Sequence, residues 1–175
     1  MIETFSLLTF FIAVTVCQAL AIIFVKSHKS RELIVRIWPI HYWVNGLLWI
    51  LFAVWIILIN VMSGDVVFPV FLQLVGLALC IFGLLLSADG LRRIGLKQVM
   101  GYRFFCSDNL KWTSSGSYSM LNNPIYDGFV LVFLGLGLFR GLYLDFYLAA
   151  ASILLLNVFL ATVENDDTKS KGLRR

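Results

Sequence analysis

The polar side chains with the greatest capacity for chemistry are concentrated in the second half of the chain. Tyr118, Asn123, Tyr126 and Asp127 lie close together, and Glu164 follows after two apolar runs. Hydroxyl, amide and carboxylate groups bind polar ligands, and a carboxylate holds an ammonium group through charge-assisted hydrogen bonds. The three cysteines are scattered, so neither a disulfide framework nor a CxxC metal pattern is predicted. We therefore expect no metal site in this chain.

The composition indicates a membrane protein. Hydrophobic residues make up 60% of the chain and charged residues 14%, whereas soluble domains are roughly 45–50% apolar and about 25% charged. The mean hydropathy is +0.89, and a domain of 175 residues is too small to bury this surplus of apolar side chains. Nucleic-acid binding is not expected despite the net charge of +4, because the basic residues lie between apolar runs.

Three uncharged apolar runs and two further apolar runs predict an all-α, polytopic membrane helix bundle, since a helix needs about 20 mainly apolar residues to cross a bilayer. The predicted spans are Phe5–Val25, Trp43–Met62, Val66–Ser87, Ile125–Phe139 and Leu142–Val163. Only Arg140 and Gly141 separate the last two, which predicts a helical hairpin. We divide the chain into residues 1–87, with three transmembrane helices, and residues 88–175, with a cytoplasm-facing loop, the hairpin and a tail. Together they form one integrated domain.

The distribution of lysine and arginine predicts the orientation. With five spans, 13 of the 14 basic residues fall on one side, and Arg140 alone falls on the other. Cytoplasmic loops carry such an excess of basic residues. We therefore predict an outside N-terminus and a cytoplasmic C-terminus. The first run is interpreted as a retained span, because Glu3 stands where a secretion signal has basic residues.

The polar interval Ala88–Asn123 is far longer than the usual connection of about 4–6 residues, and such lengths indicate function or disorder. Its aromatic residues suit the boundary between membrane and water, which makes an interfacial anchor without a ligand one interpretation. These aromatic residues are Tyr102, Phe104, Phe105, Trp112 and Tyr118. A more specific string favours a binding site instead. It consists of Ser115-Gly116-Ser117-Tyr118 and then Asn122-Asn123-Pro124-Ile125-Tyr126-Asp127-Gly128, followed by two apolar helices and Glu164.

This string resembles the signature of the integral-membrane methyltransferases that include isoprenylcysteine carboxyl methyltransferases and phospholipid N-methyltransferases. Their pattern is a Ser-Gly-x-Tyr turn, a His-Pro or Asn-Pro pair, a Tyr and a Gly, and a helical hairpin that ends in Glu. The likeness covers residues 101–164. It implies methyl transfer from S-adenosylmethionine to an amphiphile in the membrane, with a phospholipid amine as the leading acceptor.

The resemblance also implies which residues contact S-adenosylmethionine in a cytoplasm-facing pocket. They are Leu110, Lys111, Trp112, Thr113, Tyr118, Asn123, Pro124, Ile125, Tyr126 and Glu164, with Arg103 as a weaker candidate. The carboxylate of Glu164 would suit the ammonium group of the cofactor. Glu164 and Asp127 are both candidates for the catalytic proton acceptor, and the sequence does not choose between them.

Each of these residues also has a structural interpretation. Glu164 at the end of the last span is equally typical of an interfacial charge, and Asn123-Pro124 is typical of a helix start. Tyr118 and Tyr126 are compatible with aromatic belts. The glycines of the hairpin favour close helix packing rather than nucleotide binding, since no strand precedes them. These are Gly135, Gly137 and Gly141.

Because the chain departs from both branches of the family pattern, the sequence does not identify the methyl acceptor. The isoprenylcysteine branch has an arginine one turn before the Glu, where this chain has Leu160, and Arg-His-Pro where this chain has Asn122-Asn123-Pro124. Losing that cation removes the group best suited to a carboxylate substrate. The phospholipid branch has paired glutamates, where this chain has Glu164-Asn165. An isoprenylcysteine carboxyl methyltransferase-like activity, a membrane lipid or sterol reductase and a non-catalytic membrane subunit therefore remain alternatives.

Overall fold

A computed structural model describes residues 2–27, 31–62, 68–106 and 115–159, and these residues form helices joined by short turns. The helices are α1 Ile2–Ser27, α2 Arg31–Met62, α3 Val70–Ile94, α4 Leu96–Val99, α5 Tyr102–Cys106, α6 Pro124–Arg140 and α7 Tyr143–Phe159, with a 3₁₀ turn at Gly116–Ser119. Three helical segments are long and apolar enough to cross a membrane: Ser6–Ser27, Glu32–Met62 and Val70–Ile94. The predicted all-α membrane bundle is confirmed.

The long helices α1, α2, α3, α6 and α7 run in alternating directions. Helices α6 and α7 form the predicted hairpin, whose turn contains Gly141 in the left-handed conformation with φ of 75°. Each of these two helices has 17 residues, which is at the lower limit of about 17–25 residues for a membrane crossing. The alternation brings the C-terminal ends of α1, α3 and α7 and the N-terminal ends of α2 and α6 to one end of the bundle.

Three predicted span ends are wrong. Helix α2 begins at Arg31 rather than Trp43, and α3 continues past Ser87 to Ile94. The predicted spans of these two helices are uncharged runs, whereas these extensions contain charged residues that form ion pairs four residues apart, Glu32 with Arg36 and Asp89 with Arg93. Helix α3 also begins at Val70 rather than Val66. Pro69 forces the residue before it out of the helical conformation.

Helices α3 and α6 pack against each other at very close range, because small residues line the contact. On α3 these residues recur at alternating steps of four and three: Gly76, Cys80, Gly83, Ser87 and Gly90. A Cβ atom added to Gly83 would lie 2.6 Å from the backbone oxygen of Gly128, and one added to Gly76 would lie 2.6 Å from that of Gly135. In a bilayer, where lipid competes for apolar contact, small residues let helix backbones approach.

Hydrogen bonds cross the same interface. The Ser87 hydroxyl donates to the Ile125 backbone oxygen at 3.3 Å, and the Cys80 thiol donates to that of Val132 at 3.5 Å. Close helix packing is confirmed for Gly135, which lies against Gly76 and Cys80 of α3, and for Gly137, which lies against the Phe146 ring of α7. Gly141 serves instead as the left-handed end of α6.

The remaining long helices join this pair through an apolar core. Phe11 of α1 stacks on Phe52 of α2 at 5.2 Å, and both contact Phe133 of α6 edge-on at 6.3 Å. Leu144 and Leu148 of α7 complete the cluster. Many side chains on the outer faces of the helices are both large and apolar, such as Leu85, which is 65% exposed. A water-soluble surface would not carry so many, and lipid is their natural solvent.

A buried polar pair links α2 to α7 at the other end of the bundle, where α2 ends and α7 begins. The Asn60 amide donates to the Asp145 carboxylate at 3.3 Å and to the backbone oxygen of Ile56 at 3.1 Å. Asp145 is fully buried in the first turn of α7, where the helix dipole favours a negative charge. Polar residues inside membrane bundles commonly hold helices together in this way.

The contact between α3 and α6 predicts the effect of one added methyl group. Gly83→Ala places its Cβ against backbone that cannot move aside, so we expect a loss of about 1–3 kcal/mol in unfolding free energy. Unfolding of the purified protein in mixed detergent micelles, followed by circular dichroism, measures this loss.

Gly46→Ala is the matched control, because a Cβ at Gly46 in α2 would meet nothing within 4 Å. Alanine is the better helix former by about 1 kcal/mol, so this variant should be unchanged or slightly more stable. Equal unfolding curves for the two variants would contradict the close α3–α6 contact.

Candidate functional site

The Ser-Gly-x-Tyr string forms a 3₁₀ turn that is tied to the end of α3. The Asp89 carboxylate accepts hydrogen bonds from the Ser117 backbone N–H at 3.1 Å and from the Ser117 hydroxyl at 2.7 Å. Arg93 donates to the same carboxylate at 2.8 Å and to the Ser115 hydroxyl at 3.0 Å. Asp89 and Arg93 lie four residues apart on α3, and together they fix the turn to the bundle.

Gly116 is required in this turn for two reasons. Its φ of 60° lies in the left-handed region, which residues with a Cβ rarely adopt. A Cβ at this position would also overlap the Arg93 guanidinium group. The glycine of the motif thus leaves room for the Arg93 side chain beside the turn.

Tyr118 is buried, with 3% of its surface exposed. It lies in the 3₁₀ turn, whose residues pack against α3. An aromatic residue at the membrane boundary would remain partly exposed, so the interpretation of Tyr118 as a belt aromatic is not supported. The anchored turn instead carries this side chain inward.

The Asn-Pro pair starts α6. The Asn123 side chain accepts a hydrogen bond from the Tyr126 backbone N–H at 3.4 Å, and Pro124 occupies the first turn, where no donor is needed. Pro124 and Ile125 are buried against Gly90 of α3. Asn123 and Pro124 thus determine where α6 begins. Pro124 and Ile125 face the contact with α3.

A cavity of about 210 Å³ lies beside the beginning of α6 and the end of α7. Its lining residues are Met120, Leu121, Asn122, Asn123, Tyr126, Asp127 and Asn157. The volume is smaller than the roughly 300–1,000 Å³ typical of pockets for a whole drug-sized ligand. It is the size of a head group or of one portion of a cofactor.

The structure thus brings three of the candidates together in the cavity, Asn123, Tyr126 and Asp127. Tyr126 also packs against Ile22 of α1, as does Phe104 of α5, so Tyr126 connects the cavity to the rest of this end. Leu110, Lys111, Trp112, Thr113 and Glu164 lie outside the described residues, as does the side chain of Arg103.

Sequence reasoning missed two contributors to this site. Asp89 lies at the end of an apolar run. Its spacing of four residues from Arg93, which is typical of an ion pair on a helix, is the sequence feature that indicates it. Asn157 lines the cavity from α7, yet a single amide in a transmembrane run carried no motif.

The aromatic residues of α5 are packed inward. Phe105 is buried, with a ring centroid 4.6 Å from that of His41 and 5.3 Å from that of Trp38 in α2. Tyr102 meets the Trp38 ring edge-on at 5.1 Å. The aromatic residues of α5, interpreted from the sequence as an interfacial anchor, therefore pack against the N-terminal part of α2.

The anchored turn predicts a local effect of Asp89→Asn. The variant loses the charge that Arg93 and both Ser117 donors share, so the 3₁₀ turn should open while the helices stay folded. Hydrogen exchange measured by mass spectrometry should then be faster at residues 116–119 and unchanged in α6. Glu32→Gln removes the same kind of ion pair on α2, where both partners are mostly exposed, and is the control. Unaltered exchange at the turn in Asp89→Asn would disprove the anchoring role.

The comparisons with known proteins identify the family of this chain. The family model described as phospholipid methyltransferase matches residues 71–171, which is more than half of the chain and includes α3, the 3₁₀ turn and the hairpin. Searches of curated proteins and of solved structures gave no significant match. The matched region contains every helix end that builds the cavity, and the chain is a member of the phospholipid methyltransferase family of membrane proteins.

Proposed function

We propose that this protein transfers a methyl group from S-adenosylmethionine to an amine of a phospholipid in the membrane. Family membership supports a methyltransferase. The observation that carries the finer proposal is the polar cavity at the end of the bundle where the basic residues of the described segments lie, Arg140 excepted. This is the end at which the sequence predicts the cytoplasm, where S-adenosylmethionine is available.

The residues of this end fit such a ligand pair. The cavity offers amides, a tyrosine and a carboxylate beside Met120 and Leu121, so polar and apolar groups meet at one place. Its volume suits a head group or one part of the cofactor. Leu110, Lys111, Trp112, Thr113 and Glu164, proposed from the family pattern, would provide the remaining contacts with S-adenosylmethionine.

When bound, S-adenosylmethionine supplies a methyl group whose bond to a positively charged sulfur breaks as the acceptor nitrogen bonds to the carbon. The chain's own task is positioning, because such a transfer depends on holding the reacting atoms about 3–3.5 Å apart and aligned. Asn123 and Tyr126 would orient the ligands from the first turn of α6. The buried Tyr118 would do so from the anchored turn, and Glu164 would hold the ammonium group of the cofactor.

The acceptor amine must lose a proton before it acts as a nucleophile. A carboxylate within hydrogen-bond reach takes that proton and passes it to water. Asp127 and Glu164 are the two candidates. Asp127 lies in the cavity with Tyr126 and Asn157, which favours Asp127 for this task.

The cofactor assignment predicts that Glu164→Gln weakens S-adenosylmethionine binding. A charge-assisted hydrogen bond contributes about 1.5–3 kcal/mol, so the dissociation constant should rise by about 10- to 100-fold. Isothermal titration of the protein in detergent measures it directly. Asp166→Asn, which removes a nearby acidic charge, is the control and should bind as the wild type does.

A wild-type protein that neither binds S-adenosylmethionine nor methylates lipid extracts would refute the proposed function. A thermal shift with NADPH and none with S-adenosylmethionine would favour the reductase alternative. Methylation of prenylated thiol extracts without methylation of phospholipids would favour the isoprenylcysteine carboxyl methyltransferase-like alternative.

A further inference from the structure

We propose that the cavity between α6 and α7 is a binding site for a primary ammonium group, with Asp127 and Asn157 as its two hydrogen-bond acceptors. The inference rests on the proposed function, since it names the part of the substrate that this cavity takes. The charge and the hydrogen-bond capacity of the lining residues support it.

The lining of the cavity is negative. Asp127 is its acidic member, and no lysine, arginine or histidine is among the described residues that line it. The Asp127 carboxylate is half-buried, and it forms no hydrogen bond or ion pair with a described residue. The N-terminus of α6 contributes roughly half a positive charge, which is less than the full charge of a carboxylate. A phosphate group would be repelled here, and a cation would be attracted.

Asn157 presents a second acceptor from the opposite helix. Its amide nitrogen donates to the Ile153 backbone oxygen at 2.6 Å. Because a backbone oxygen only accepts, the nitrogen must be the atom that faces it, and the side-chain oxygen of Asn157 is left for a ligand. Asn123 differs, since its side-chain oxygen already accepts from the Tyr126 backbone N–H.

Two acceptors on facing helices suit a group with several donors. A primary ammonium has three N–H donors, and each added methyl group removes one. A trimethylated nitrogen keeps its charge but has no N–H donor, so it loses both hydrogen bonds to Asp127 and Asn157. The cavity would therefore bind an unmethylated amine best and release the fully methylated product most easily.

Two ligands of the proposed reaction carry a primary ammonium group, the phospholipid acceptor and S-adenosylmethionine. The acceptor is the better match, because Met120 at the cavity is 85% exposed and offers apolar surface for a lipid. The volume of about 210 Å³ also suits a small head group. If the cofactor supplied the ammonium group instead, Asp127 would take the role proposed above for Glu164.

The test measures lipid binding without cofactor. Native mass spectrometry of the full-length protein in detergent gives dissociation constants for dioleoyl phosphatidylethanolamine, its mono- and dimethyl derivatives, phosphatidylcholine and phosphatidylglycerol. For the wild type we expect the monomethyl derivative, which keeps two N–H donors, to bind about as well as phosphatidylethanolamine. The dimethyl derivative should bind more weakly, phosphatidylcholine more weakly still, and phosphatidylglycerol weakest. Asp127→Asn should weaken phosphatidylethanolamine binding by about tenfold or more, as expected for the loss of a charge-assisted hydrogen bond, and leave phosphatidylglycerol unchanged.

Two further variants protect this result against misfolding. Asn157→Asp adds a second negative charge to the cavity and should tighten phosphatidylethanolamine binding. Glu32→Gln, on the exposed face of α2, should change nothing. Thermal unfolding checks that each variant is folded.

The outcomes separate this inference from the proposed function. Weaker phosphatidylethanolamine binding in Asp127→Asn supports the ammonium site even if the wild type methylates no lipid, in which case the methyltransferase proposal alone fails. An unchanged lipid affinity with weaker S-adenosylmethionine binding, measured by isothermal titration, supports the site with the cofactor as its ligand. Wild-type affinities for both ligands in Asp127→Asn would overturn it. So would a wild type that binds phosphatidylethanolamine no better than phosphatidylglycerol.

Discussion

The contact between α3 and α6 is the constraint on which the rest of the structure depends. Gly76 and Gly83 bring the α3 backbone against that of α6 so closely that the two helices have a single register. Lipid competes with protein for apolar contact, so this approach of two backbones replaces the hydrophobic effect that orders a soluble core. The same register sets Gly90 against Pro124, and it thereby fixes the height at which α6 begins.

The register of α3 and α6 also determines how the residues at the polar end of the bundle are arranged. Because α6 begins beside the end of α3, the 3₁₀ turn that precedes α6 lies within reach of Asp89 and Arg93. The turn then needs a glycine at position 116, where the backbone is left-handed and the guanidinium group leaves no space. The positions of the family motif are thus parts of one arrangement. The contact between α3 and α6 positions the 3₁₀ turn, and the turn carries Tyr118 into the protein interior.

The two ends of the bundle use polar residues differently. At one end, Asn60 and Asp145 hold α2 to α7 with a hydrogen bond between buried side chains. At the other end, Asp127 and Asn157 line a cavity and keep acceptor atoms that no described residue uses. A polar group withdrawn from water costs free energy unless it is paired. The Asn60–Asp145 hydrogen bond therefore offsets part of the cost of burying these two side chains and holds α2 to α7. Asp127 and Asn157 are less buried, and their acceptor atoms are suited to binding a ligand.

The sequence by itself determined the helical membrane bundle, the terminal hairpin and the family, because hydropathy and motif spacing are local properties of the chain. It also indicated Asn123, Tyr126 and Asp127, which share a motif and one turn of helix. Tertiary structure alone decided that Pro124 and Ile125 face Gly90, that Tyr118 is buried, and that Asn157 joins the cavity. These outcomes depend on which faces of α3, α6 and α7 meet, and that choice is made by backbone contacts between residues far apart in the chain.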